Sequence, residues 1–539
     1  MAATSPEHQS TNDYADLVSF TFSGDCNDDK PILIDASDPE RTVSRKRAHD
    51  LVARLAGKFP ADSTVCLHLA NDVLYPVLVL AILASRCRWT GTNTAYTATE
   101  LEHHFRTSET RYVVIAEEHL ETVRHAVRAS GVSIEIIVFV DLLGAPPASR
   151  SLQTSTADDM TTSGTQGLRN LWDLLHTPSC SSLDEVLSGI SPSNIAALMQ
   201  TSGTTGLPKI AARTHHSMIA EVQAITDDPE SKPYEVRRLF CTPIFHAFSA
   251  PEMLFNALRL GQISYFMRRY DDTFAQKIHD FRITEAFGAP AMLLKLVNAL
   301  ADGRLLQSLR YVAYGGSPLG AGLRKRFLEM FEVPPRLVPV YGMTEGGWFT
   351  TLKYPENDDT GSVGRPVPGY EVRLSRTAHA QLGFAPSAGQ VLVRGPQILR
   401  EYLGNPSATA EAFEDGWLKT GDIGYFENGK LYLIDRAKDM MKVNGWQVSP
   451  VELQNSITQM DGVLEAAVFG VGEGEDEHPV AWVVRKVKSV TAEDVKEHMR
   501  GCLASYKVRS CEVRFVDAIP RNTMGKVMRG VLREQVSAA

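Results

Sequence analysis

Apolar and polar positions alternate between two periods along this chain. Short apolar runs of strand length recur at Pro31–Asp35, Thr64–Leu69, Val113–Ile115, Ile134–Val140 and Ile195–Met199. Between them lie stretches with apolar residues three and four apart, as in Ser44–Lys58, where Leu51, Val52, Leu55 and Ala56 share one helical face. Asn71–Ala84 predicts an apolar helix, and Arg213–Ser217 the opening of another. Strand and helix in alternation predict a mostly parallel sheet covered by helices. Residues 1–29 are polar and are expected to be loosely held. Residues 145–167, rich in Ser, Thr and Pro, predict a long surface insertion. From Pro450 the pattern changes to helix Pro450–Gln459, strands Val463–Val471 and Val480–Val487, helix Ala492–Cys502 and strand Val513–Val516. That is a separate α+β unit of roughly 100 residues, the size of a small domain.

A length of 539 residues exceeds one ordinary core and implies several domains. With 43% hydrophobic and 22% charged residues, the composition is that of a folded globular protein. A net charge of -9 argues against a general nucleic-acid binder, which normally carries a basic surplus. The 7 cysteines are scattered with no CxxC spacing, which argues against a disulfide framework or a zinc site and fits a reducing compartment. The N-terminus lacks the apolar core of a signal peptide, and the chain ends without a Ser-Lys-Leu address. The longest apolar run, Val77–Ala84, is too short to span a bilayer. The expected location is cytoplasmic, with no membrane span.

The densest chemistry follows the strand Ile195–Met199. Thr201, Ser202, Gly203, Thr204, Thr205 and Gly206 lead through Leu207 and Pro208 to Lys209. Glycines let backbone N–H groups approach a phosphate, hydroxyls add neutral donors and the lysine adds a point charge. The common P-loop, with Gly-Lys-Ser/Thr, is absent, because Ile210 follows Lys209. A P-loop kinase is thereby excluded.

Further along, Leu309–Tyr314 runs into Gly315, Gly316 and Ser317. Strand, paired glycines, then a helix start is a way to lay backbone against a flat ligand. Tyr341, Gly342, Met343, Thr344 and Glu345 follow another apolar run. There Tyr341 can stack on a base, Thr344 can donate to a phosphate, and Glu345 is a hard oxygen ligand suited to magnesium. The Asp422 carboxylate can accept from both ribose hydroxyls, and Arg436 can reach the ribose or an α-phosphate. The charged stretch Asp435–Glu452 has the exposed polar character a hinge requires. Near the C-terminus, Gly525 and Lys526 stand on a loop between Pro520 and Val527.

These motifs, in this order, resemble those of the adenylate-forming superfamily, and most closely its AMP-dependent acyl- and aryl-CoA synthetases of the 4-coumarate–CoA ligase type. The resemblance implies an α/β fold: a large N-terminal adenylation region (30–435) of layered α/β subdomains plus a β-barrel-like one, and a small mobile α+β lid (436–539). It implies activation of a carboxylic acid by ATP to acyl-AMP with pyrophosphate release, then transfer to the thiol of CoA, with Mg2+ as cofactor. Thr201 to Lys209 would hold the β- and γ-phosphates, Gly315 to Ser317 would lie along the adenine, and Glu345 would hold the metal. His246 and Phe248, in a Pro-x-Phe-His-like segment, would line the acid pocket with Ala289, Gly315, Gly342, Gly347 and Trp348. No Asp lies between Cys241 and Pro251 to pair with an α-ammonium, which disfavours amino acids. Trp348 would shorten the pocket or stack on the acid, favouring an aromatic or a short to medium aliphatic one. Lys526 would serve adenylation, Lys438 the hinge, and Lys442 and Gln447 the second half-reaction. Two departures stand out: Gln390 where the family has Glu, and Ala437 where it has a larger apolar residue. A carrier-protein phosphopantetheine in trans as acceptor, and an inactive nucleotide-binding scaffold, remain as alternative readings.

Overall fold

The computed structural model describes residues 14–144, 167–177, 182–201, 208–300, 302–375, 388–443, 446–472, 477–521 and 527–537. Among these, two large sheets and their covering helices form the N-terminal region. One sheet has seven strands in the order Glu401–Tyr402, Ile210–Thr214, Ile195–Gln200, Arg88–Gly91, Thr64–His68, Thr110–Ile115 and Glu135–Val138. Its last five strands run parallel, as the strand–helix alternation predicts. Ile210–Thr214 pairs antiparallel with its neighbours on both sides, so that Ile195–Gln200 and Ile210–Thr214 form a hairpin around the Thr/Gly-rich loop.

The other sheet has nine strands. Its parallel centre runs Arg336–Met343, Tyr311–Gly315, Glu285–Gly288, Arg237–Phe240, Ile263–Phe266 and Pro31–Asp35. Gly288, Gly315 and Met343 thus all lie at the carboxyl edge of that centre, where open α/β sheets bind ligands. Strand Gly347–Thr351 folds back antiparallel on Arg336–Met343 and brings Trp348 opposite Gly342. A third, antiparallel sheet of five strands carries Asp422 on Trp417–Glu427 and Arg436 on Lys430–Arg436. The small C-terminal unit has its own core, including Met441, Val448, Leu453, Val468, Ala481 and Met499.

Helix Tyr75–Ala84 is buried along its whole length, which explains its all-apolar sequence. It begins at Tyr75, later than expected, because Asn71 is engaged elsewhere. Its side-chain amide donates to the carbonyls of Thr242 and Met267 and accepts from the Ile244 N–H. Arg213 and Thr214 finish a strand, and the helix opens at His215 with Thr214 as its cap.

The N-terminal expectation needs correction. Leu17–Phe22 is a helix capped by Asp16, and Leu17, Val18 and Phe20 are buried in the largest core. Six residues are too few for a sequence period to register, and packing together with the Asp16 cap holds such a helix in place. The insertion at 145–166 lies outside the described residues. No helix among the described residues is long and apolar enough to cross a membrane.

Candidate active site

The hairpin around the Thr/Gly-rich loop is closed at its base. The Thr201 N–H donates to the Lys209 carbonyl at 2.8 Å, and the Lys209 N–H to Thr201 Oγ1 at 3.2 Å. Ser202, Gly203, Thr204, Thr205 and Gly206 lie outside the described residues. Two adjacent histidines of helix Ala98–Thr107 brace the two stems. His103 Nε2 donates to the Pro208 carbonyl at 3.1 Å, and His104 Nδ1 meets the Gln200 side-chain amide at 2.7 Å. On its other side His104 Nε2 meets Thr90 Oγ1, whose hydroxyl donates to the Leu198 carbonyl. Burial pushes the His104 pKa down to about 4, so the ring is neutral at physiological pH.

Lys209 is exposed, and its ammonium lies 4.9 Å from the centre of the Tyr402 ring. The Tyr402 hydroxyl donates to Glu345 Oε1 at 2.7 Å. Glu345 is only 7% exposed and sits in the turn after Arg336–Met343, beside the half-buried Thr344. Two segments far apart in sequence, one with the lysine and one with the carboxylate, therefore meet at a single phenol.

The strand Tyr311–Gly315 ends against Val340. A Cβ on Gly315 would stand 2.9 Å from the Val340 carbonyl and 3.1 Å from the Phe248 ring, so only glycine fits this approach. Gly316 has φ +83°, a left-handed value glycine adopts without strain. The helix expected directly after these glycines starts only at Ala321, and Ser317 lies in an intervening turn. Beside them, Tyr341 donates to Asp422 Oδ2 at 2.7 Å, and Arg436 Nε donates to Asp422 Oδ1 at 3.1 Å. The antiparallel pairing of Asp422 with Arg436 fixes this triad. Burial, with the Asp422 charge beside it, raises the Tyr341 phenol well above its ordinary pKa.

The residues expected to line an acid pocket also converge. His246 Nδ1 accepts the Phe248 N–H at 3.2 Å, and burial lowers the His246 pKa to about 4. His246 is therefore a neutral ring, with Nε2 carrying its proton. Trp348, 3% exposed, stacks on Phe248 with ring centres 5.7 Å apart and planes 14° from parallel. Its indole N–H donates to the Phe248 carbonyl at 3.1 Å, so the two rings are locked as one wall. Gly347, with φ +72°, passes so close to Glu221 that a Cβ would overlap the carboxylate. Gly342 packs as tightly on Gly347. Ala289 precedes helix Pro290–Ala299 at the carboxyl edge of the sheet.

Tyr402, Glu221 and Arg213 are absent from the motif-based reading. Glu221 accepts the Trp348 backbone N–H at 3.2 Å and pairs with the fully buried Arg213 at 3.0 Å. The available signal was weak: an Arg and a Glu eight residues apart, with Thr214, His215, His216 and Ser217 as further polar residues between them.

In the small unit, Lys438 is exposed in the turn that follows Arg436. Lys442 is exposed, pairs directly across from Gln447 in the hairpin Met441–Val443/Trp446–Val448, and its backbone N–H donates to Glu477 at 2.8 Å. Lys526 lies outside the described residues.

Residues 21–403 match the family described as AMP-binding enzyme, and residues 452–526 match the AMP-binding enzyme C-terminal domain. The chain belongs to this family. It is similar to acyl-CoA ligase M9 of Phoma sp., with 49% identity over 99% of this chain and 98% of that one. It is also similar to phenylacetyl-CoA ligase epaB of Aspergillus niger, with 36% identity over 96% of each chain. The fold matches ATP-bound MatB from Rhodopseudomonas palustris with a TM-score of 0.78 and 24% identity, over 96% of this chain and 98% of that one. The enzyme is an AMP-forming acid–thiol ligase, using ATP to make acyl-AMP and passing the acyl group to CoA.

Proposed function

We propose that the carboxyl edge of the nine-stranded sheet binds ATP and an aromatic or short to medium aliphatic acid side by side. The reading rests on one observation above all: the locked Phe248–Trp348 wall beside Gly315 and Gly342. It gives a flat, apolar boundary close to the adenine-side glycines and suits a short or planar acid. The absence of an Asp in the segment Cys241–Pro251 weighs against α-amino acids.

On this reading Tyr341 faces the adenine with its ring, while Asp422 and Arg436 bind the ribose and α-phosphate side. The phosphate loop Thr201–Gly206 and Lys209 hold the β- and γ-phosphates. His246, neutral and holding its proton on Nε2, orients the substrate carboxylate. A carboxylate oxygen attacks the α-phosphate and pyrophosphate leaves. Lys526 neutralises the charge that develops between them, positioning and charge neutralisation being the protein's main task in such transfers. The CoA thiol then attacks the acyl carbon and AMP leaves. Lys442 and Gln447 serve this second step once the unit 436–539 turns about Lys438, against an adenylation unit spanning 30–435.

Glu345 fits a magnesium ion. It offers a hard carboxylate oxygen, and Tyr402 anchors Oε1 so that Oε2 is oriented. Magnesium, when bound, neutralises the phosphate oxygens around the departing pyrophosphate. We place the enzyme in the cytoplasm, in keeping with the unpaired thiols of Cys26, Cys66, Cys87, Cys241, Cys502 and Cys511.

The test is a carboxylic-acid panel with Mg·ATP, run with and without CoA, reading pyrophosphate and acyl-CoA mass together. We expect both products from an aryl or short to medium aliphatic acid. Pyrophosphate without acyl-CoA would assign the acceptor role to a carrier-protein phosphopantetheine. Activity only on amino acids or long-chain fatty acids would overturn the pocket reading.

A further inference from the structure

Tyr402 belongs to no phosphate, adenine or acid motif, yet it touches both of the charged groups assigned to Mg·ATP. Its place is fixed from several sides. Strand Glu401–Tyr402 pairs antiparallel with the outgoing stem of the phosphate-loop hairpin, with Tyr402 opposite Ala211, two residues beyond Lys209. The flanking backbone completes the ladder, through Arg400 N–H to the Ala212 carbonyl and Leu403 N–H to the Ile210 carbonyl. The Leu399 N–H donates to the Glu345 carbonyl at 2.6 Å, and the Tyr402 N–H to Thr409 Oγ1 at 3.0 Å. Segment 399–403 is thus a strut between the lysine-bearing hairpin and the turn that carries Glu345.

We propose that Tyr402 is a positioning residue for nucleotide binding, holding Glu345 by its hydroxyl and parking Lys209 on its ring until the phosphates arrive. The inference rests on the reading of Lys209 and Glu345 as ligands of Mg·ATP. The two contacts differ in strength and hence in fate. A phenol donating to a buried carboxylate is a charge-assisted bond that fixes one oxygen and orients the other. An exposed ammonium over a ring is held weakly, in a place where its charge is not neutralised. A phosphate outcompetes the ring for Lys209, whereas the bond to Glu345 persists through binding. The ring keeps the long lysine side chain near its working position, so less of its freedom is lost when ATP binds.

Two substitutions separate these roles. Tyr402→Phe keeps the ring and removes the hydroxyl; Tyr402→Leu removes both. Binding of a non-hydrolysable ATP analogue is measured by calorimetry with Mg2+ and again with EDTA. For Tyr402→Phe we expect about tenfold weaker binding with Mg2+, the scale of one lost bond to a charged group, and unchanged binding in EDTA. For Tyr402→Leu we expect weaker binding under both conditions. In steady state both variants raise KM for Mg·ATP more than KM for the acid, and both still form thioester from supplied acyl-AMP and CoA. Wild-type affinity of Tyr402→Phe for the Mg2+ complex overturns the proposal. So does an equal loss in both half-reactions with a lowered melting temperature, which marks a merely structural tyrosine. Lys209→Ala and Glu345→Gln are run alongside. If neither weakens analogue binding, the site reading itself has failed, and that result is distinct from a failure of Tyr402 alone.

Discussion

Trp348→Ala is the sharpest perturbation of the proposed acid pocket. The side chain is 3% exposed, stacks on Phe248 and donates to its carbonyl. Its removal opens a space the size of an indole and costs about 3–5 kcal/mol of stability, as for other buried Trp-to-Ala changes. It also leaves the Phe248 carbonyl without its donor. An acid long enough to reach the vacated space regains part of this by burial, at about 0.8 kcal/mol for each methylene. That is about fourfold in kcat/KM per methylene, so three added methylenes favour the longer acid by about 60-fold relative to wild type. The assay is kcat/KM over a homologous series of acids, by pyrophosphate release, with a thermal melt on each variant. Trp348→Phe keeps a ring on Phe248 but not the donor, and its profile falls between the two. A Trp348→Ala enzyme that melts cooperatively, binds ATP as wild type does and ranks the acids in the wild-type order refutes the idea that this indole sets pocket length.

Two further outcomes are expected. Lys526→Ala loses acyl-AMP formation by at least about 100-fold yet still makes thioester from supplied acyl-AMP; loss of both activities would refute the division of labour between the half-reactions. Acid sensitivity follows from the buried histidines. His104 titrates near 4 in the folded chain against about 6.5 unfolded, so below about pH 6.5 the unfolded state binds the extra proton. Its contribution is therefore complete above pH 6.5 and is lost as the pH falls towards 4, up to about 3 kcal/mol for this group. His68, His215 and His246 are lowered in the same sense. Melting temperature measured from pH 7 to 4 should fall, and His104→Gln should flatten that slope. An unchanged slope would show that burial of the His104 ring does not hold it neutral.

What was legible in the sequence, and what was not, divides along a physical line. Strands such as Pro31–Asp35 and Val463–Val471, and helix Ala492–Cys502, were readable because each carries its own period. The triad of Tyr341, Asp422 and Arg436 was readable because each residue sits in a string of special types, even though the structure alone joins them. The supports were not readable. Tyr402 meets Glu345 across 57 residues, and Glu221 meets Trp348 across 127. Neither lies in a motif. Each works through a partner chosen by the tertiary fold, so no local pattern can announce it. Helix Leu17–Phe22 is the same case in the core: its burial depends on surfaces supplied by later segments.

A consequence follows for the pocket. The glycines proposed to face the ligand, Gly315, Gly342 and Gly347, carry almost no side-chain information of their own. Their identity is dictated by what packs against them: the Val340 carbonyl and the Phe248 ring at Gly315, the Gly347 carbonyl at Gly342 and the Glu221 carboxylate at Gly347, each of which would overlap or crowd a Cβ there. The Arg213–Glu221 pair is buried and costly to desolvate, and Glu221 also fixes the backbone of Trp348. On the proposed pocket, specificity for the acid is held partly by a charged pair behind its wall. Substitutions at Glu221 or Arg213 should change the acid profile and the stability together, whereas Trp348 changes the profile through its volume.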